Sequence, residues 1–429
     1  MPKVPCPTVA IETHGCKLNQ ADSGRLAAQF SHQGFRIVPS DEPADVFVLN
    51  SCTVTHIADR KARHALRAAR RRNPQTTVVA TGCYVQRLPE AVRALEEVDI
   101  AVGNVDKETL VRQVVEWRGE VPVPCATGTD EGVLSPRIMR TRAAVKIQEG
   151  CDQVCSYCIV PKVRGRERSV RPEIIVAEIN RYAAAGYREV VLTGTQLGSY
   201  GFDLPGMSLE ALIRQVLTET TMERLRVSSL QAQEISHELL ELWSDRRLCP
   251  HFHLPLQSGS DAVLSKMRRR YTAGQYFAAV DAIRDAVPGA AITADAIVGF
   301  PGETPYDFDQ TMGVSGKVGF AAMHVFPYST RPGTSAAHYG GEVQPATKAA
   351  RVSALMALAK DHAARFRNGL LGQTRPVLWE ERRDGGSRWR GLTDNYVRVE
   401  CESPISLANK ITPTTLLTFE GDVVLARAQ

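Results

Sequence analysis

The chain has 429 residues and a formal charge of +5, from 52 Lys and Arg against 47 Asp and Glu. With 43% hydrophobic and 23% charged residues it has the composition of a folded globular protein of about three domains, which excludes a disordered or collagenous chain. No apolar run approaches the roughly 18 residues a membrane span needs. The opening MPKVPCPTVAIETHGC lacks the basic start and apolar core of a secretory signal, so no membrane role and a cytoplasmic location are expected.

Short apolar runs at residues 9–12, 46–49, 78–80 and 100–102 are separated by helix-length stretches, the pattern of βαβ units on a parallel sheet. HGC, NSC and TGC follow the first three runs. Cys16, Cys52 and Cys83 therefore lie just past the carboxyl ends of three strands, where ligands bind in open parallel sheets. The run HIADRKARHALRAARRRNP lays Arg60, Arg63, Arg67 and Arg70 along one helix face, which suits a solvated surface or nucleic-acid phosphates. VPVPCATGTDEGVLSP then reads as a linker.

Six further strand-like runs follow at residues 144–147, 189–192, 224–228, 251–254, 292–298 and 321–326, with amphipathic helical segments between most of them. The reading is a partial (β/α)6 barrel whose site lies where its strands end. The segment TMGVSGKVGFAAMHVF looks irregular for a helix. After a closing helix at 348–367, short β-like runs with Gly and Asp turns suggest a small β-barrel. The expected division is an amino-terminal α/β domain at 1–122, the partial barrel at 137–367 and the small barrel at 368–429.

KIQEGCDQVCSYCIVPKVRGRERS is the most informative segment. In a reducing compartment, grouped thiols point to metal binding or catalysis, not to disulfides. Cys151, Cys155 and Cys158, spaced by four and three residues, can wrap three corners of one iron–sulfur cube and leave its fourth iron open. An open metal corner is where a substrate or cofactor coordinates. A zinc site is the alternative, but zinc motifs usually carry two CxxC pairs and there is no second pair. Lys162, Arg164, Arg166, Arg168 and Arg171 follow the loop as a basic cluster suited to RNA or to a carboxylate. Cys6, Cys125, Cys249 and Cys401 have no grouped partners and read as ordinary thiols. Gly194, Ser228, Gln257, Ser258, Gly299, Gly302 and Glu303 follow barrel strands, where they serve either turns or a ligand. His251 and His253 share one strand face, read as partly buried side chains before ligands or bases. No GxxxxGKS/T, HExxH or GxSxG motif occurs, which argues against P-loop NTPases, zinc proteases and serine hydrolases.

The cysteine loop and its context resemble the radical S-adenosylmethionine superfamily. GCKLNQADS, NSCTVTHIADRKAR and TGCYVQ resemble the amino-terminal domain of the tRNA methylthiotransferases. LTGTQLGSYG, LPLQSGSDAVLSKMRRRYT, AIVGFPGET and FPYSTRPGTSAA resemble their radical domain, and the β-rich end is similar to their TRAM RNA-binding module. The resemblance implies that Cys151, Cys155 and Cys158 are catalytic and bind the 4Fe-4S cluster that cleaves S-adenosylmethionine to a 5′-deoxyadenosyl radical. It implies that Cys16, Cys52 and Cys83 bind a second 4Fe-4S cluster used in sulfur insertion. Tyr157 would sit by the adenine, and Gly194, Ser228, Gln257, Gly299 and Glu303 would contact the cofactor. Two uses of S-adenosylmethionine are implied, as radical source and as methyl donor to sulfur. The implied partners are the anticodon stem-loop of tRNA and an electron-donor protein such as flavodoxin or ferredoxin.

CDQVCSYCIV, LGSYG, CPHFHLPLQSGSD and HVFPYS most resemble the members acting at carbon 2 of N6-threonylcarbamoyladenosine. Relatives acting on isopentenyladenosine or on a ribosomal-protein aspartate share the cysteines. A non-enzymatic, metal-bound RNA-binding protein on the same modules is the reading of another class.

Overall fold

The computed structural model describes residues 6–119, 141–383 and 386–429. The expected linker and Cys125 lie outside the described residues. The chain divides into two compact units: Met1–Arg140 with Ala144–Gln153 and Cys158–Arg168, and Thr141–Ala143 with Val154–Tyr157 and Ser169–Gln429.

In the first unit, β1 (Thr8–Thr13), α1 (Lys17–His32), β2 (Arg36–Val38), β3 (Val46–Ser51), α2 (His56–Arg72), β4 (Thr77–Gly82), α3 (Cys83–Arg87), α4 (Pro89–Arg93), β5 (Ile100–Val102) and α5 (Leu110–Arg118) follow in order. The strands form one parallel sheet, ordered β2-β1-β3-β4-β5. Every residue of β3 and β4 is buried, as expected for central strands covered on both faces. Alternation divides them between two cores. Phe47, Leu49, Val78 and Ala80 pack with Ala62, Leu66 and Ala69 of α2. Val46, Val48 and Val79 pack with Leu26 and Phe30 of α1 and Leu110 and Val114 of α5. The four expected strands are present. The edge strand β2 is a fifth, in which only Ile37 and Val38 are apolar, too few to stand out in sequence.

β6 (Arg142–Lys146), β7 (Gln148–Glu149), α6 (Val160–Arg164) and β8 (Arg168–Ser169) follow, with β7 and α6 counted in the first unit. The barrel continues through α7 (Pro172–Ala184), β9 (Glu189–Thr193), α8 (Leu209–Glu219), β10 (Arg224–Val227), α9 (His237–Glu241), β11 (His251–His253), α10 (Asp261–Lys266), α11 (Ala273–Ala286), β12 (Ala291–Val298), α12 (Pro305–Val318), β13 (Ala322–Pro327) and α13 (Pro345–Asn368). The six expected strands are all found, as two three-stranded sheets ordered β10-β9-β6 and β11-β12-β13. Between them only isolated parallel bridges, Leu225 with Leu248 and Ser229 with His253, continue the ladder. The segment expected to be irregular is the second half of the regular helix α12, followed by the start of β13. Thr304 and Asp307 form a capping box at the start of α12, and Gly319 ends it in the left-handed region at φ 62°.

β14 (Thr374–Arg382), β15 (Arg388–Thr393), β16 (Arg398–Glu402), β17 (Ile411–Glu420) and β18 (Val423–Ala428) close into the expected small barrel around Trp379, Val399, Leu416 and Val424. This barrel caps the partial one at the amino-terminal ends of its strands. Glu189 and Arg224 are the first residues of β9 and β10. Arg226 Nε donates to Glu189 Oε1 at 2.9 Å, and Arg224 Nη2 lies 3.0 Å from Glu189 Oε2. The same guanidinium groups reach the small barrel. Arg224 donates to the carbonyls of Leu392 at 3.2 Å and Thr393 at 2.8 Å, and Arg226 to that of Asp394 at 3.0 Å. Arg226 also covers the Tyr396 ring, which stacks on His251 with centroids 4.4 Å apart. The carboxyl ends of the strands, where the site is expected, lie opposite.

Burial raises the Glu189 carboxyl, but Arg226 and Arg224 outweigh it and bring its pKa down from 4.5 to about 2. A depressed folded-state value contributes stability that is complete above the unfolded value and is lost as pH falls through the folded one. Thermal midpoints measured from pH 7 to pH 3 should therefore fall below about pH 4.5. Glu189→Gln, which strands two buried cations, should cost about 3–5 kcal/mol at neutral pH and flatten that acid dependence. An unchanged midpoint would contradict this role.

Candidate metal centres

β1, β3 and β4 are adjacent in the sheet, so the three cysteines that follow them emerge at one edge. Cys16 caps α1, Cys52 follows Ser51 at the end of β3, and Cys83 opens α3. Glycines make the approach possible. Gly15 has φ +103°, and a Cβ there would lie 2.7 Å from Cys52 Cβ and 3.2 Å from its Sγ. Gly82 has φ +99°, and a Cβ there would meet the Ser51 carbonyl oxygen at 2.4 Å. The Cys52 thiol is pushed up to about 11, mainly by burial, with Cys83 and Cys16 adding to it. Among the described residues, no three His, Cys, Asp or Glu side chains are grouped to hold a single metal ion. An all-sulfur donor set with a glycine-lined approach fits an iron–sulfur cluster.

Beside these thiols lies a buried set of charges that the sequence reading missed. Asp22 on α1 receives Lys107 at 3.0 Å, Lys146 at 2.7 Å and Arg164 at 2.7 Å. Glu149 receives Lys146 at 2.9 Å, Arg164 at 2.6 Å and Arg168 at 3.1 Å. Burial alone would raise the Asp22 carboxyl, but Lys107, Lys146 and Arg164 hold it far below the usual carboxylate range. Glu149 comes down to about 2, with Lys146 and Arg164 overcoming burial. Arg164 also donates to Asn19 Oδ1, and Asn19 Nδ2 donates to the carbonyls of His14 and Ser51, which adjoin the cysteine turns. The basic cluster after the cysteine loop is corrected accordingly. Arg164 is an internal counter-ion, whereas Lys162, Arg166, Arg168 and Arg171 stay exposed, with Arg168 and Arg166 paired to Glu149 and Asp152. On α2, Arg67 and Arg70 pair with Glu97 and Asp99, while Arg60 stays exposed beside an open cavity of about 280 Å³ lined by His56, Ile57, Asp59 and Arg63.

The second cysteine loop passes from one unit to the other and back. Cys151 N donates to the Gly165 carbonyl at 3.1 Å, and the preceding Gly150 has φ +80° with no room for a side chain, since a Cβ would lie 1.8 Å from the Arg166 carbonyl oxygen. Cys155 Sγ receives Arg269 Nη1 at 3.5 Å, and Arg269 is held by Gln231 Oε1 at 2.9 Å and lies over the Tyr271 ring. Arg269 was also missed, because three successive arginines in MRRRYT give no sign of which one turns inward. Tyr157 packs edge-on to Phe300 with centroids 6.5 Å apart. Cys151, Cys155 and Cys158 are each half-buried.

The other barrel-end residues divide. Gly194 and Ser228 directly follow β9 and β10, and Gln257 sits at φ 61° with its N–H on the Asp295 carbonyl at 2.8 Å. Ser258 is buried against Thr311. Gly299 is in the left-handed region, and its N–H donates to Glu303, whose carboxylate is fully enclosed and paired with Arg351. Glu303 therefore braces the turn after β12. His251 is buried on Thr293, as expected. His253 joins Ser229 Oγ at 2.7 Å to Asp295 Oδ1 at 3.4 Å on the inner barrel face. Cys249 and Cys401 are buried thiols, whereas Cys6 is disulfide-bonded, contrary to expectation. No helix among the described residues is long and apolar enough to cross a membrane.

A family model described as the radical SAM superfamily matches residues 145–314, and one described as the uncharacterized protein family UPF0004 matches residues 8–103. The threonylcarbamoyladenosine tRNA methylthiotransferase MtaB of Bacillus subtilis (strain 168) is 36% identical over 428 residues, spanning 96% of this chain and 94% of its own. A tRNA-2-methylthio-N(6)-dimethylallyladenosine synthase of Caldicellulosiruptor saccharolyticus is 35% identical, over 92% of this chain and 87% of its own. The solved radical S-adenosylmethionine methyltransferase TsrM from Kitasatospora setae superimposes with a TM-score of 0.56 over 77% of each chain, at 14% identity, a likeness of fold.

Gly15→Ala should lower the thermal midpoint, because it combines a strained backbone, costing about 1–3 kcal/mol, with a clash against Cys52. It should also reduce the iron taken up on anaerobic reconstitution. Full iron content with an unshifted midpoint would count against the glycine-lined approach.

Proposed function

Because the chain belongs to the radical S-adenosylmethionine tRNA methylthiotransferases, we propose that it inserts a methylthio group at carbon 2 of N6-threonylcarbamoyladenosine, next to the anticodon of tRNA. The observation that carries this reading is a near full-length match to a relative of that name, on a chain with two separate sets of three thiols. Members of the family use a 4Fe-4S cluster and S-adenosylmethionine. Cys151, Cys155 and Cys158 are assigned to that cluster, and Cys16, Cys52 and Cys83 to a second one. When bound, these groups supply one-electron cleavage of a carbon–sulfur bond and a methylated sulfur.

The protein's own part is position and exclusion of water. Gly150 lets the loop approach its neighbouring backbone closely, and Arg269 places a fixed positive charge on Cys155. Tyr157, wedged on Phe300, is assigned to the adenine, with Gly194, Ser228, Gln257 and Gly299 at the strand ends around it. Glu303 acts on the cofactor through the Gly299 turn that it braces. Exposed Arg60, Lys61 and Arg71 on α2 and the TRAM-like barrel are the surfaces assigned to the tRNA backbone. The three-part division at 1–122, 137–367 and 368–429, a cytoplasmic location and a flavodoxin or ferredoxin as electron donor complete the proposal. The relative named for dimethylallyladenosine is almost as similar, so the modified base is the part that most needs a direct test.

Nucleoside mass spectrometry on tRNA from cells lacking this chain should show loss of 2-methylthio-N6-threonylcarbamoyladenosine; loss of the isopentenyl nucleoside instead would move the assignment to the other substrate. In vitro, Cys155→Ala should abolish 5′-deoxyadenosine formation. Cys52→Ala should leave it within about two-fold while methylthio product disappears, and a normal product yield would remove Cys52 from the second centre.

A further inference from the structure

Cys83 packs with Ile159 and Val163 in a small buried cluster. Asn104, two residues beyond β5, also reaches it. Its Nδ2 lies 3.4 Å from Cys83 Sγ and 2.7 Å from the Val163 carbonyl oxygen, and the residue is 8% exposed. A carbonyl oxygen only accepts, so the atom 2.7 Å from it must be the amide nitrogen, which settles the orientation of the side chain. With one N–H on Val163, the second is aimed at sulfur. Oδ1 is left buried without a partner, an arrangement that costs about 1–3 kcal/mol. The opposite orientation would set two oxygens against each other.

The loop carrying Asn104 is tied to the helix that Cys83 opens. Val105 N donates to Gln86 Oε1 of α3 at 3.3 Å, and a side chain at position 103 would meet that same oxygen at 2.5 Å. Donor and sulfur are thus fixed in one frame. Lys107, on the next turn, and Arg164 add positive charge nearby, both held by Asp22.

We propose that Asn104 is a positioning residue for the second cluster, donating its amide N–H to the Cys83 thiolate and holding the cluster at a higher reduction potential than it would have without that donor. A donor aimed at a cluster sulfur stabilises the more negative, reduced form. The proposal rests on the assignment of Cys16, Cys52 and Cys83 to that cluster.

The test uses the full chain carrying Cys151→Ala, Cys155→Ala and Cys158→Ala, reconstituted anaerobically with iron and sulfide so that only the second centre is present. Its midpoint potential is read by a redox titration followed by electron paramagnetic resonance. Asn104→Leu should shift the potential to a more negative value at equal iron content. Asn104→Asp keeps the shape, replaces the donor by an anion and should shift it further. Equal potentials in parent and variants would overturn the proposal. So would failure of both variants to hold iron, which would make Asn104 a purely structural residue. If the parent itself takes up no iron and sulfide, the assignment of the three cysteines fails, an outcome distinct from failure of the Asn104 proposal.

Discussion

Asp22 is a carboxylate with almost no access to water, and three cations close on it from three separate stretches of chain. Such a group is tolerated in a protein interior only while its partners stay in place, because an uncompensated buried charge costs several kcal/mol. That requirement binds the pieces carrying the chemistry of the first unit. Asp22 lies in α1, which Cys16 caps. Lys107 follows Asn104, Lys146 ends β6, and Arg164 closes the short helix after Cys158. Glu149, two residues before Cys151, shares two of the cations. The network reaches the turns at Cys16 and Cys52 through Asn19. Losing any one of these cations would leave buried charge unbalanced at this edge of the unit.

Strand ends gather on one side in each of the two parallel folds. In the first unit the parallel order β1-β3-β4 brings three strand ends side by side. In the second the strands keep the same polarity, and the small barrel occupies their opposite ends through Arg224, Arg226 and Tyr396. The inner face of β12 shows the consequence. Ala296 and Val298 are buried against Leu355 of α13, whereas Thr293, Asp295 and Ile297 alternate onto a half-open interior.

Much of this was legible in the sequence, because fully buried parallel strands read as continuous apolar runs and because glycine before cysteine signals a tight turn. VFVLNS and TVVATG stand out for that reason, as does the spacing of Cys151, Cys155 and Cys158. What sequence could not reveal was pairing over distance. Arg164 looks like one of five basic residues in a row until Asp22, 142 positions earlier, is seen beside it. Glu303 likewise looks available to a ligand until Arg351 closes on it. Periodicity records which face a residue takes, whereas the partner across that face depends on the tertiary fold.

The small barrel sits against the amino-terminal end of the larger one through Arg224 and Arg226, so traffic at that end meets packed protein. A reaction placed at the opposite, carboxyl-terminal ends of the strands would take in every reactant and release every product there. Turnover then becomes a matter of traffic, with each departure a condition for the next arrival, and release can govern the rate as firmly as bond breaking does.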